Sequence, residues 1–345
     1  MTNLNQLIVH HRSSHHARYS GYARLIDFLD EPQIIQGKNI LPYRLAKGIS
    51  QLSNQQAGLY DSKSVQKEVE LYRLLRKIQT PGIVHYLNGE RDVRYLLNYK
   101  KASRSTKFCA SFHKPPEILK ATVKNIRYLK QLDAAICVGA NQVDFIKNWL
   151  GIDQVKYIPH GVDTHFFKPL SHKKATKKML FVGQHLRDFE MLNRTIPEIL
   201  AKDASASLDV VLKKEFQAKV QLTSDRVRIH TGVDDETLKR FYQEASFLYL
   251  PLIDATACNS ILEALACGLP IVTSAVGGNM AYLSGSENFL IPANDEEQFI
   301  ATALSLLAQP DLCLKIGQSS RELSIRYDWN NVAKAVEVFY QEVLT

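Results

Sequence analysis

Short apolar runs alternate with amphipathic stretches along nearly the whole chain. Leu7-Ile8-Val9-His10, Ile83-Val84-His85-Tyr86-Leu87, the run 107–112, Ala134-Ala135-Ile136-Cys137-Val138 and Lys156-Tyr157-Ile158 read as strands. Each is brief, rich in β-formers and bounded by turn residues. Between them, helical spacing predicts helices over 22–29, 65–78, from Asp92 onward, over 117–131 and over 141–150. Ser20-Gly21 opens the first of these, and Thr80-Pro81-Gly82 closes the second. Residues 33–63 carry too weak a pattern to assign. At 166–178, Pro169 and the polar run SHKKATKK have the composition of a linker. The alternation then restarts, with strands at 179–183, 208–212, 227–230 and 247–250 and helices between them. Asp295 and Gln298 form a capping box for a helix over 299–307, and 329–344 is a final helix. Strands alternating with helices imply right-handed crossovers and a mostly parallel sheet. The fold class is therefore α/β, with two Rossmann-like domains. Such sheets bind ligands beyond the carboxyl ends of their strands, so candidate residues are those just after each strand.

Composition narrows the picture. The chain has 345 residues, enough for two domains of ordinary size. Its net charge of +8 is unevenly divided, with a basic region up to residue 170 and a mildly acidic remainder. A basic half suits an anionic membrane, a phosphorylated acceptor or an acidic polymer. Nucleic acid is not expected, because aromatic and basic residues are not interleaved and no zinc-finger spacing occurs. The five cysteines (Cys109, Cys137, Cys258, Cys267 and Cys313) are odd in number and lack C-x-x-C spacing. That suits free thiols in a reducing cytoplasm. The N-terminus lacks a signal-peptide layout, and no apolar run reaches bilayer-spanning length. A cytoplasmic location is expected. Peripheral contact with the inner face of the membrane is a second reading. It rests on the stretch 117–131, where Lys120, Lys124, Arg127 and Lys130 interleave with Leu119, Val123, Ile126 and Leu129. The ordinary alternative is a solvated basic face over a core-facing stripe.

The most informative stretch is DATACNSILEALACGLPIV, from Asp254 to Val272. A polar loop runs into a helix that carries one carboxylate, Glu263. The helix stops at Cys267-Gly268, and 270–272 reads as a buried strand. The first turn, at Asn259, Ser260 and Ile261, offers N–H groups without intrahelical partners, which is an anion site. A carboxylate one turn further in accepts hydrogen bonds from sugar hydroxyls. Together these describe a nucleoside-diphosphate ligand. The same spacing also describes a buried loop–helix–strand unit with a merely solvated Glu, and both readings stand at this point.

This segment resembles the donor-binding motif of retaining GT-B-fold glycosyltransferases of the family-four type, where E-x7-E precedes A-x-A/S-C/G-G-x-P-V. Glu263 to Val272 matches the second half. The position of the first Glu holds Ala255, and the nearest acid is Asp254. The resemblance implies that Glu263 meets the ribose and Asp254 the donor hexose. It implies domains 1–168 on the acceptor side and 169–327 on the donor side, facing across a cleft, with a helix at 328–345 crossing back. It implies that His113, in Ala110-Ser111-Phe112-His113-Lys114-Pro115-Pro116, reaches toward the donor sugar. Pro159-His160-Gly161-Val162-Asp163 resembles the family's junction signature, and Gly161 is expected in a turn conformation closed to side chains.

At Gly183-Gln184-His185-Leu186-Arg187-Asp188 the family has G-R followed by a Lys. Gln184 stands where the Arg would be. Arg187 is the nearest cation for the leaving diphosphate, with Lys213 or Lys214 as the second. Gly21 occupies the family's first glycine loop, and Gly277-Gly278 follows the strand 270–274. Close backbone approach to the donor and a tight turn are the two readings of that glycine pair.

His10, His11, His15 and His16 form a dense group, but a zinc site needs converging ligands at set spacing, so no metal site is assigned. The resemblance also implies metal independence. The expected activity is transfer from a UDP- or GDP-sugar to a hydroxyl acceptor with retention, with no cofactor besides the donor. The alternatives are a sugar-nucleotide 2-epimerase and a non-catalytic sugar-nucleotide-binding subunit.

Overall fold

Each strand read from the sequence forms in the computed structural model of the chain. The structure describes residues 5–10, 19–38, 40–54, 61–78, 80, 82–94, 99–100, 103, 105–171 and 175–345. The first sheet holds β1 (Asn5–Val9), β2 (Gln33–Ile35), β3 (Gly82–Tyr86), β4 (Thr106–Phe112), β5 (Ala134–Cys137) and β6 (Val155–Tyr157), in the order β2-β1-β3-β4-β5-β6. The second holds β7 (Lys178–Val182), β8 (Ser207–Val211), β9 (Val227–His230), β10 (Phe247–Leu250), β11 (Ile271–Ser274) and β12 (Phe289–Ile291), in the order β12-β11-β10-β7-β8-β9. Neighbouring strands pair in parallel throughout, for example Ile8 with His85, His85 with Cys109, and Leu248 with Leu180. The central strands are apolar on both faces because helices cover both, which is why they appear in the sequence as short unbroken runs.

Contacts divide the chain into two units. The first unit takes Tyr22–Pro159 and Val332–Thr345 with β1, and the second takes His160–Asn331 with residues 19–21. The helix Trp329–Leu344 therefore starts in the second unit and continues in the first. Each unit has its own apolar core, one centred on Val84, Phe108 and Ile146, the other on Phe181, Leu248 and Val272. Among the described residues, no single helix is long and apolar enough to cross a membrane.

The helices depart from expectation in four places. The stretch expected as one helix over 117–131 is a helix only over Pro116–Thr122, with a short 3-10 turn at Leu129–Gln131. Val123 is extended (φ −97°, ψ 95°), and the Asn125 side chain accepts from the Arg127 N–H at 3.0 Å. A side chain that bonds the local backbone this way competes with the helix ladder. Leu119, Val123 and Leu129 are buried in the first unit's core, as a core-facing stripe would be. A short helix spans Gly89–Asp92, residues 93–94 are not helical, residues 99–100 are, and most of the rest of the stretch expected as a helix from Asp92 onward lies outside the described residues. Residues 22–28 form a 3-10 rather than an α-helix, burying Tyr22, Leu25 and Ile26. Residues 33–63, unassigned from the sequence, carry β2 and the helix Tyr43–Asn54. Their loop is held from outside. Glu70 accepts from the Gly37 and Lys38 N–H groups, and Gln66 from those of Ile40 and Leu41.

Gly161 is not in the left-handed region. Its constraint is steric, because a Cβ there would collide with the Trp329 indole. The histidine group falls mostly on residues 11–16, outside the described residues, and among the described residues no cluster could hold a metal.

Candidate functional site

The order of the second sheet reverses between β7 and β10. A crevice opens at such a point, beyond the carboxyl ends of the two strands. The residues after β7 and β10 meet there, with Arg187 and Leu252 forming an isolated antiparallel bridge. Gly183 turns the chain at φ +90°, a conformation that suits glycine. A Cβ there would stand 2.8 Å from Arg187 Nη2, so the missing side chain also makes room for the guanidinium. Arg187 Nε donates to the Val182 carbonyl at 2.8 Å, Nη1 to the His185 carbonyl at 3.0 Å, and Nη2 to Ser260 Oγ at 3.0 Å. The guanidinium is thus fixed beside the first turn of the helix Asn259–Ala266.

That helix has no side-chain cap at Cys258. The Ile261 N–H donates to the Cys258 carbonyl at 3.0 Å, and its side chain is buried. The Ile261 N–H is thus already engaged within the first turn. Asn259 and Ser260 are the first-turn positions left to present N–H groups.

Glu263 is 4% exposed, and both carboxylate oxygens are engaged. Tyr242, fully buried on the helix Asp235–Glu244, donates its hydroxyl to Oε2 at 2.8 Å. Ser20 donates to Oε1 at 2.6 Å, and Asn259 Nδ2 approaches Ser20 Oγ at 3.4 Å. The Ser20 segment is itself seated in the second unit. The Tyr19 ring stacks on Phe166 with centroids 3.7 Å apart, the Tyr19 N–H donates to Asp235, and Gly21 turns away at φ +93°. Burial pushes the Glu263 carboxyl up to about 7. The Ser20 and Tyr242 hydrogen bonds pull the other way, Asp235 adds to the rise, and Arg187 opposes it. The carboxylate expected to lie open for ribose is closed over by a serine.

The glycine pair packs closely on the loop after β10. Gly277 lies at φ +48°. A Cβ on Gly277 would collide with the Ala255 carbonyl, and one on Gly278 with the Thr256 carbonyl. The Gly278 N–H donates to the Ala255 carbonyl at 2.8 Å. The pair grips the loop after β10, so the tight-turn reading alone accounts for both glycines. Asp254, half-buried in that loop, accepts from the Ala255 N–H at 2.7 Å. Lys213 and Lys214 are exposed at the end of β8, and the Lys213 N–H points at Gln184 Oε1 at 3.4 Å. Gln184 thus holds the neighbouring loop rather than contributing charge.

In the first unit, His113 follows β4 as expected. Its Nε2–H donates to the Leu87 carbonyl at 2.6 Å, its N–H donates to Glu90, and its ring meets the Tyr22 ring edge-on at 4.7 Å. Beneath it runs a buried chain not expected from the sequence. The Tyr340 hydroxyl meets His85 Nδ1 at 2.6 Å, His85 Nε2 meets Ser111 Oγ at 2.7 Å, and Ser111 Oγ meets the Tyr22 hydroxyl at 3.0 Å. Burial, and secondarily His113, lowers His85 to about 3, so it is neutral. One signal was legible: His85 is the single polar residue in the apolar run 83–87. Tyr242 and Ser20 carried no comparable signal. Elsewhere on the second unit a cavity of about 410 Å³ is lined by Leu170, Cys267, Cys313, Leu314 and Arg321. It lies at the far end of the Glu263 helix and is not part of the Arg187 cluster.

A doubly wound sheet with a guanidinium and a helix start at its switch point, and a carboxylate one turn further in, defines a class of α/β protein built for ligands with both anionic and hydroxyl groups. Residues 176–309 match the sequence model of the family described as Glycosyl transferases group 1. The chain is 24% identical over 218 residues to the D-inositol 3-phosphate glycosyltransferase of Corynebacterium jeikeium, covering 55% of this chain and 52% of that protein. It is 24% identical over 229 residues to a phosphatidylinositol N-acetylglucosaminyltransferase subunit from Arabidopsis thaliana, covering 63% and 51%. The chain spans about half the length of the curated relatives it matches. The crystal structure of Anabaena HepE in complex with UDP-glucose is similar in fold, with a TM-score of 0.69 at 12% identity over 98% of this chain and 99% of that one. The second unit thus resembles the group 1 glycosyltransferases in sequence, and the chain has the GT-B fold.

Proposed function

We propose that the protein transfers a sugar from a nucleoside-diphosphate sugar to a hydroxyl acceptor, with retained anomeric configuration. The observation that carries this reading is the Arg187 guanidinium held against Ser260 at the start of the Glu263 helix, at the second sheet's switch point. In this reading Arg187 and the first-turn N–H groups of Asn259 and Ser260 receive the diphosphate. Charge that develops on the leaving group is then met by preorganised donors, without metal. Glu263 takes a ribose hydroxyl, and Asp254 and His113 serve the donor sugar. The complex of HepE with UDP-glucose supports a uridine donor. The inositol 3-phosphate and phosphatidylinositol in the names of the two relatives support a polyol acceptor that carries phosphate, which also suits the basic half of this chain.

A thermal-shift panel of UDP, GDP and their sugars tests the donor, since a ligand that binds the native state raises the melting temperature by mass action. Transfer to inositol 3-phosphate in the presence of EDTA, with the product anomer read by NMR, tests the rest. Binding of no nucleotide would overturn the reading. A non-catalytic nucleotide-binding role is the second reading, favoured by Gln184 and by the closed carboxylate. Tight nucleotide binding without turnover would select it.

A further inference from the structure

The Glu263 carboxylate has two unequal sides. Oε2 faces Tyr242, whose ring is fully buried and whose hydroxyl donates at 2.8 Å. The tyrosine cannot be displaced by a ligand without opening the core, because its ring packs edge-on against Phe167 and sits on a regular helix. Oε1 faces Ser20, a small hydroxyl outside any helix or strand, flanked by Tyr19 and approached by Asn259. One oxygen is therefore permanently committed, and the other is held by a group with the chemistry of a sugar hydroxyl.

We infer that Tyr242 is a positioning residue that locks Oε2 of Glu263, so that only Oε1 is presented to a ligand hydroxyl, at the place the Ser20 hydroxyl now fills. This rests on the reading of the site as a nucleotide-sugar site. It adds a second requirement, that Ser20 yields its place when the ribose arrives. Without the tyrosine hydroxyl, the carboxylate is free to rotate and to take up a proton. Both changes weaken a hydrogen bond from ribose, and neither touches the diphosphate end. The groups facing the carboxylate are Tyr242, Ser20, Asp235 and Arg187. Of these, Tyr242 is the one that both donates to it and is unreachable by ligand.

The test compares binding of UDP and 2′,3′-dideoxyuridine diphosphate by calorimetry. Wild type is expected to prefer UDP by about tenfold, the worth of one hydrogen bond to a charged group. Tyr242→Phe is expected to bind the dideoxy nucleotide as wild type does and to lose at least about threefold of that preference. Ser20→Ala is expected to bind UDP about threefold more tightly and the dideoxy nucleotide unchanged. A Tyr242→Phe preference equal to wild type would overturn the inference. If that variant does not fold, Ser20→Ala decides, and an unchanged UDP affinity there overturns it. Should wild type itself not distinguish the two nucleotides, the assignment of ribose to Glu263 fails, which is a separate outcome.

Discussion

Arg187 Nη2 donates to Ser260 Oγ at 3.0 Å, tying the loop after β7 to the first turn of the Glu263 helix. The same guanidinium is held by the carbonyls of Val182 and His185. Three hydrogen bonds from one planar group leave it little freedom, so it is preorganised for an anion placed against it.

Arg187→Ala should therefore lower sugar transfer by about 100- to 1,000-fold, or about 2.7–4 kcal/mol in the barrier, as for one preorganised donor. The fold should survive, since the side chain lies at a half-buried loop. Turnover with UDP- or GDP-sugars measures the first claim and a melting curve the second. Activity near wild type would remove Arg187 from the site. Arg187→Lys should recover only part of the loss, because an ammonium cannot bond the two carbonyls and Ser260 in one plane.

Lys67 and Asp92 form an ion pair at 2.7 Å with both side chains 1% exposed. Ser64 also donates to the Asp92 carboxylate, and burial depresses the Lys67 ammonium below its ordinary range. Replacing the lysine alone strands a buried carboxylate. Lys67→Met should cost about 3–5 kcal/mol in urea unfolding. Lys67→Met combined with Asp92→Leu should recover most of that, because the uncompensated charge is then gone. A double variant as unstable as the single one would show that packing, not charge, dominates here.

The strands were legible because parallel strands buried on both faces give short apolar runs whatever lies around them. Val227–His230 and Phe247–Leu250 fall where the pattern put them. What escaped depended on partners distant in sequence. β2 and its loop are organised by Gln66 and Glu70 of a later helix; the break at Val123 is the exception, made locally by the Asn125 side chain. In the site, Arg187 and Ser260 come together as the strand-end rule suggests. The closure of Glu263 by Ser20, 243 positions away, has no local signal. Ile261 looked available because first-turn residues usually are, yet its N–H is turned back onto Cys258. The glycine pair reads alike whether a ligand or a neighbouring loop comes close, and here it is the loop.

His85 sits fully buried between Tyr340 and Ser111, and its pKa is lowered from 6.5 to about 3, chiefly by burial. A histidine depressed in the folded state stabilises it above its unfolded pKa, and that stability is lost as pH falls toward the folded value. Between pH 7 and pH 5 the loss should be about 2 kcal/mol. Denaturant midpoints of wild type and His85→Asn over this range read it directly. The variant's curve should be flatter by that amount, and parallel curves would mean that His85 takes up its proton in the native protein as readily as in the unfolded chain.

Glu263 predicts the opposite slope. Its carboxyl is raised from 4.5 to about 7, first by burial, against the two hydroxyl donors. A carboxyl raised in the folded state contributes stability that is fully present below its unfolded pKa. That contribution disappears as pH climbs through the folded one. From pH 5 to pH 8 wild type should lose about 2.5 kcal/mol that Glu263→Gln does not lose, because the amide cannot ionise. Since the loss reflects the cost of ionising a buried carboxyl, a ligand that donates hydrogen bonds to Oε1 should reduce it. Repeating the titration with saturating UDP should therefore shrink the gap between wild type and Glu263→Gln at pH 8. An equal gap with and without nucleotide would place the ribose elsewhere, leaving Glu263 as a buried acid held by Ser20 and Tyr242 for stability alone.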